Sequence, residues 1–193
     1  MLASNVRRYS QNLVRFVAPI GKTSQYSPSG LRFFSSANKM SSIEDRIRDL
    51  GYQLPQASTP AGSYISCVRS GNMIYTAGHL PFGENGNVVT GKVGEEVTVE
   101  QASHAAEMIT LGILSSLKNE VANLDRIKRI VKVTGFIAAS DNFEKHPVVL
   151  NGCSNLLGEI FEEKGVHARS AVGVYTLPLN ACVEIEAVVE IEG

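Results

Sequence analysis

The sequence has no tryptophan and no CxxC pair, and its three cysteines, Cys67, Cys153 and Cys182, are scattered. An odd, dispersed set of thiols argues against a disulfide framework and against thiolate zinc sites. The four histidines form no HExxH or comparable spacing, so no metal site is expected. GxGxxG, Walker A and GxSxG stretches are missing too. That removes the sequence basis for a dinucleotide fold, a phosphate loop or a nucleophile elbow. No apolar run approaches the roughly 20 residues a membrane helix needs, so no membrane partner is expected.

Acidic residues are absent from positions 1–40, which hold Arg7, Arg8, Arg15, Lys22, Arg32 and Lys39. An Arg- and Ser-rich, acid-free start has the composition of a mitochondrial targeting segment. Arg32-Phe33-Phe34-Ser35 resembles a matrix-protease site, so cleavage is expected near residues 34–35 and a matrix location follows. Met40 is an internal start that would yield a cytosolic form. Without the six leading cations, 12 of the 18 basic residues face all 19 acidic ones, a balance of about −7 for the remainder. An acidic domain without a basic stripe is poorly suited to neutralise phosphates, so no nucleic-acid partner is expected.

What is present is an ordinary globular chain: 193 residues, 44% apolar and 19% charged, enough for one full core. A short lead-in, 41–53, carries a helix over Glu44–Leu50, capped by Ser41 and Glu44. Gln53–Gly62 is a loop. From 54 to 193 the chain reads as one domain. Tyr64–Arg69 and Met73–Ala77 form a hairpin around Ser70-Gly71-Asn72. Gly78–Gly94, with five glycines, is a long loop. Thr98 and Gln101 open the strongest helix, with Val99, Ala102, Ala106, Ile109, Ile113, Leu117 and Val121 on its apolar face. Ile127–Ala138 is a central strand. Asp141 or Asn142 caps a second helix running to about Lys164, with Pro147 in its first turn and Gly165 as its C-cap. Strands over 170–177 and 182–191 close the chain; the latter alternates cleanly, with Cys182, Glu184, Glu186, Val188 and Glu190 on its outward face. The order ββ, α, β, α, ββ suggests an α+β domain with two helices on one face of the sheet.

Arg169 sits at a strand entry beside Ala168, Ser170 and Ala171, small residues that leave room around a guanidinium fork suited to a carboxylate. A surface salt bridge is the ordinary reading of a lone arginine. Glu184 lies on the carboxylate-rich strand face; solvation is the default, and positioning a water is the sharper role. Tyr64, Asn151 and His79 are polar residues beside glycines or apolar runs.

Gly71-Asn72-Met73-Ile74-Tyr75-Thr76-Ala77-Gly78-His79-Leu80-Pro81 resembles the hairpin signature of the RidA/YjgF reactive intermediate deaminase family. His167-Ala168-Arg169-Ser170-Ala171-Val172-Gly173-Val174, Leu177-Pro178 and Val183-Glu184-Ile185-Glu186-Ala187 resemble its C-terminal signature. Gly91-Lys92-Val93-Gly94 and Asn151–Leu157 look like a less-studied branch. The resemblance implies a chorismate-mutase-like, two-layer α+β fold with a mixed sheet, and a homotrimer with sites between subunits. It also implies cofactor-free hydrolysis of enamines and imines such as 2-aminoacrylate to 2-keto acids and ammonia, a metabolite damage-control role. On this resemblance Arg169 binds the substrate carboxylate, helped by the Ala171 N–H, and Glu184 serves the attacking water. Tyr64 and Asn151 line the cleft, and His79 stands where glutamine is common. Ala77 departs from the pattern, since many members carry serine there; the loop from Phe82 to Lys92 differs in length. The alternative is a noncatalytic trimer that binds a small carboxylate-bearing metabolite or regulates a partner.

The spacing raises one geometric question. If the last two strands paired as a tight hairpin, Arg169 would face residues near Val189, too far from Glu184 for one small substrate at ~3.3 Å per residue. Either the two strands are not neighbours, or Arg169 of one subunit meets Glu184 of another.

Overall fold

A computed structural model describes residues 41–57, 62–83 and 85–193. The expected targeting segment, 1–40, and its expected cleavage position lie outside the described residues. The chain divides between Asn38 and Lys39, and all described residues belong to the second unit.

The elements follow the expected order, preceded by the lead-in helix: α1 (Ile43–Asp49), β1 (Cys67–Ser70), β2 (Met73–Thr76), α2 (Val99–Val121), β3 (Ile127–Ala138), α3 (His146–Phe161), β4 (Ala168–Val174) and β5 (Val183–Ile191). α2 begins where its capping box predicts: the Gln101 N–H donates to Thr98 Oγ1 at 3.2 Å and the Thr98 N–H to Gln101 Oε1 at 2.9 Å. The box on α1 is shifted by one residue, to Ser42 and Asp45. Glu44 is drawn elsewhere: it accepts from the Leu124 N–H at 3.3 Å and pairs with Lys118 at 3.6 Å. α3 starts later than Asp141 or Asn142. Asn142 has φ 63°, a left-handed turn that no helix can include, and Pro147 then opens the helix without a side-chain cap. The left-handed residue at its far end is Glu162 rather than Gly165. Gly165 serves another need, because a Cβ there would collide with the Leu157 carbonyl oxygen.

The sheet order is β1-β2-β5-β3-β4. β3 and β4 are parallel and the other pairs antiparallel. The last two strands are therefore not neighbours, the first of the two alternatives that the spacing left open; β3 lies between them. A parallel pair needs a long crossover, which α3 supplies between β3 and β4. β5, with Val183, Ile185, Ala187, Val189 and Ile191 all buried, takes the centre. Cys182, expected outward, is buried as well, its N–H donating to the Val89 carbonyl at 3.0 Å. α2 and α3 cover one face of the sheet, and glycines set how closely they approach. A Cβ at Gly152 would collide with the Ser103 carbonyl oxygen, and one at Gly135 would lie 2.6 Å from Leu150 Cδ1. Among the described residues no helix is long and apolar enough to cross a membrane.

One irregularity shapes the site. Tyr75 pairs with Val188 and His79 with Ile185, so four steps on the first chain segment oppose three on β5. The extra residue is a β-bulge. Thr76 Oγ1 fills the gap by accepting the Ala187 N–H at 2.9 Å. Beyond the bulge His79 turns toward α2, with Nδ1 2.8 Å from the Ala77 carbonyl and Nε2 2.9 Å from Ser116 Oγ. A carbonyl only accepts, so Nδ1 carries the proton and Nε2 takes the Ser116 hydroxyl hydrogen. Burial lowers the His79 pKa, which keeps this neutral form in place.

Candidate functional site

The predicted site residues other than His79 fall into two groups. The first lies at the β4 edge. Arg169 pairs in register with Val133, which is fully buried beneath the helices, so its side chain shares that face. There Nη1 donates to Asn151 Oδ1 at 2.9 Å and to Ser154 Oγ at 3.1 Å. Asn151 and Ser154 are three residues apart on α3 and so lie on one side of it. Ser154 Oγ is also 3.1 Å from His167 Nε2, and His167 Nδ1 is 2.6 Å from the Gly165 carbonyl. Ala171, two residues beyond Arg169 on the same face, packs partly against the core.

The second group surrounds Glu184. In register Glu184 faces Phe136, the alternate position on β3, which puts it on the face that the helices leave open. Its carboxylate rests over Gly78; a Cβ there would collide with Glu184 Oε1. Burial, and then the neighbouring Glu186, raise the Glu184 pKa above its ordinary value. The Ala77 N–H donates to the Ser66 carbonyl at 2.8 Å, which brings the segment leading from Tyr64 into β1 alongside. Tyr64 is 55% exposed. His79, although next to Gly78, joins neither group: Nδ1 is held by the Ala77 carbonyl and Nε2 by Ser116 on α2.

Within one chain the two groups do not meet. Arg169 and Glu184 lie three residues apart along the strands, about 10 Å, and two strand spacings apart, again about 10 Å. They also lie on opposite faces. The Arg169 group can hold an anion through its unused guanidinium edge, and the Glu184 group can accept a proton. Gly78, Ser154 and His167 were not singled out from sequence. Ser154 follows Asn151 by three and His167 precedes Arg169 by two, but that spacing means something only once α3 is known to lie along β4. A groove of about 360 Å³ lined by Tyr52, Phe82, His104, Glu107, Met108 and Leu111 lies away from both groups. Among the described residues no three His, Cys, Asp or Glu side chains gather as a metal set. The three buried cysteine thiols are each pushed up to about 11 by burial, which leaves them protonated and poor nucleophiles near neutral pH.

Comparison with known proteins agrees with this architecture. Residues 44–191 match the YjgF/chorismate mutase-like family model, whose description also carries an endoribonuclease label. A 2-iminobutanoate/2-iminopropanoate deaminase of Dermatophagoides farinae is 34% identical over 72% of this chain and 93% of its own length. The mitochondrial protein MMF1 of Saccharomyces cerevisiae is 28% identical over 68% of this chain and 77% of its own. The crystal structure of Atu1372 from Agrobacterium tumefaciens, a protein of unknown function, superposes with a TM-score of 0.72 at 41% identity, over 78% of this chain and 94% of that one. With the family model spanning most of the chain and a mixed five-stranded sheet carrying both signature blocks, the protein is a member of the RidA/YjgF family with a chorismate-mutase-like fold.

Proposed function

We propose that the protein hydrolyses small enamine or imine carboxylates, such as 2-aminoacrylate and its imine form, to 2-keto acids and ammonia. The observation that carries this reading is the pair of complementary groups: an arginine whose unused donors suit a carboxylate, and a glutamate whose raised pKa suits proton transfer. The D. farinae relative, a deaminase of 2-imino acids, supports the substrate class.

Arg169 binds the substrate carboxylate and fixes the position of the adjacent C=N carbon. Glu184 orients a water and takes its proton as the oxygen attacks that carbon. Glu184 returns that proton to the nitrogen; as the C–N bond breaks, the adduct's hydroxyl becomes the keto oxygen, its proton passes by way of Glu184 to the departing ammonia, and the keto acid leaves. Imines of this kind hydrolyse unaided, so a thousandfold acceleration, about 4 kcal/mol, suffices. Because the two groups face opposite sides of one sheet, the reading requires Arg169 of one protomer and Glu184 of the next. A homotrimer with sites between subunits meets that need. The exposed Val68, Tyr75 and Val172 supply apolar surface for such contacts.

The test is a coupled assay: an imino acid generated in situ, with keto-acid release followed with and without the protein. Acceleration is expected, and an unchanged rate overturns the proposal. In the same assay kcat/KM rises with pH through an ionisation above the ordinary carboxylate value, because Glu184 acts as a base only when deprotonated. Glu184→Gln removes that limb. The same raised pKa means that the charged form weakens folding once pH exceeds the unfolded value. Glu184→Gln therefore melts no lower than the parent at pH 7, and a lower Tm would contradict this account.

A noncatalytic, metabolite-binding trimer is the second reading. It is favoured by Ala77, which lacks a hydroxyl, and by His79, which turns away from Glu184. Keto-acid binding without turnover would select it.

The acid-free, arginine-bearing start supports import into the mitochondrial matrix, as does the mitochondrial yeast relative. Changing Arg7, Arg8 and Arg15 to glutamate should leave a fluorescent fusion in the cytosol; unaltered import would exclude this location signal.

A further inference from the structure

We propose that Ser154 and His167 are positioning residues for Arg169, and that with Asn151 they commit its guanidinium to gripping a carboxylate side-on, through Nε and Nη2. This rests on the reading that Arg169 binds a substrate carboxylate.

The order of the hydrogen bonds sets the direction of every proton. Gly165 O lies 2.6 Å from His167 Nδ1, and a carbonyl only accepts, so Nδ1 carries the hydrogen. In the neutral ring Nε2 is then an acceptor. It lies 3.1 Å from Ser154 Oγ and takes the hydroxyl's one hydrogen. What Ser154 has left is lone pairs, and these face Arg169 Nη1 at 3.1 Å. Asn151 Oδ1 takes a second bond from the same nitrogen at 2.9 Å. Nη1 has two hydrogens, and both are used.

The consequence is geometric. Nε and Nη2 make no hydrogen bond among the described residues, and their parallel N–H bonds form the remaining two-pronged face of the guanidinium. The end-on fork, which needs Nη1, is closed. Without the imidazole, the Ser154 hydroxyl hydrogen loses its acceptor, and the hydroxyl is free to rotate away from the guanidinium. Without the hydroxyl, Nη1 is half released and the plane can swing about its long stem. Asn151 and Ser154 come from one side of α3, and His167 from the residue just before β4, two before Arg169. Among the described residues no other hydrogen bond or ion pair ties the plane of Arg169.

The test uses the full chain, with 2-oxobutanoate and its uncharged amide as titrants in calorimetry. Ser154→Ala and His167→Phe each weaken 2-oxobutanoate binding about tenfold, Ser154→Thr stays near the parent, and amide binding is unmoved. In an Arg169→Ala background Ser154→Ala has no further effect, the signature of a residue that acts through another. In ¹⁵N spectra the Arg169 Nε–H resonance, assigned by its loss in Arg169→Lys, shifts on adding 2-oxobutanoate. Full affinity in Ser154→Ala would overturn this inference and leave the carboxylate role of Arg169 standing. So would an equal loss in the Arg169→Ala background, or a silent Nε–H signal during binding. A parent protein that takes up no 2-oxobutanoate would overturn both readings together.

Discussion

Arg169→Lys should lower kcat/KM for an imino acid by about a hundredfold while fold and assembly persist. Lysine keeps the charge but is a point donor, and it cannot hold Asn151, Ser154 and a carboxylate in one plane. A hydrogen bond to a charged group contributes about 1.5–3 kcal/mol, so losing one prong costs roughly ten- to a hundredfold. Misorientation of the C=N carbon adds to that, since the water is delivered by a separate group. The loss should fall on kcat as well as KM, because an unfixed carboxylate lets the reactive carbon wander. The side chain lies on the exposed edge strand, so Tm should barely move. The measurement is the coupled keto-acid assay alongside thermal melting; a lysine variant of undiminished rate would remove Arg169 from the mechanism.

The second large effect is a recovery. Arg169→Lys and Glu184→Gln proteins, each nearly inactive alone, should regain activity when unfolded together and refolded as a mixture. Random assembly of a closed ring with one Arg169 donor and one Glu184 donor per site leaves about a quarter of sites intact. The expectation follows from the sheet: β3 separates β4 from β5, and register puts Arg169 with Val133 and Glu184 with Phe136, on opposite faces. Should the mixture stay as inactive as its parts, the site does not draw on two subunits.

Much of the fold was legible because its signals are local. α2 announces itself by the reciprocal cap of Thr98 and Gln101 and by apolar residues at helical intervals. β3 occupies Ile127–Ala138, the span its β-branched run predicts. β5 shows its buried and half-buried faces through strict alternation of Val, Ile and Ala with glutamate. The start of α3 was not legible. Asp141 and Asn142 are good caps in isolation, but the left-handed turn at Asn142 delays the helix to His146. Nor was the role of Gly165, whose closeness to Leu157 depends on how the chain folds back after α3.

The candidate site divides along the same line. Residue chemistry offered Arg169 as a carboxylate fork and Glu184 as a base, with a surface salt bridge and a solvated face as their ordinary readings; the resemblance of the two signature blocks favoured the functional roles. It could not say that Ser154 links His167 to the arginine, that Gly78 makes room for the glutamate, or that a bulge turns His79 toward α2. Those contacts join residues up to about 106 positions apart, as Gly78 and Glu184 are, and no local periodicity encodes such a pairing. The sequence determined the elements, their buried faces and the chemical groups on offer, since these follow from side-chain type and short-range geometry. Only the tertiary structure decided that β3 runs between the last two strands. That placement separates Arg169 from Glu184 within one chain, because strand order is set by which hydrophobic faces and crossover connections can be satisfied together.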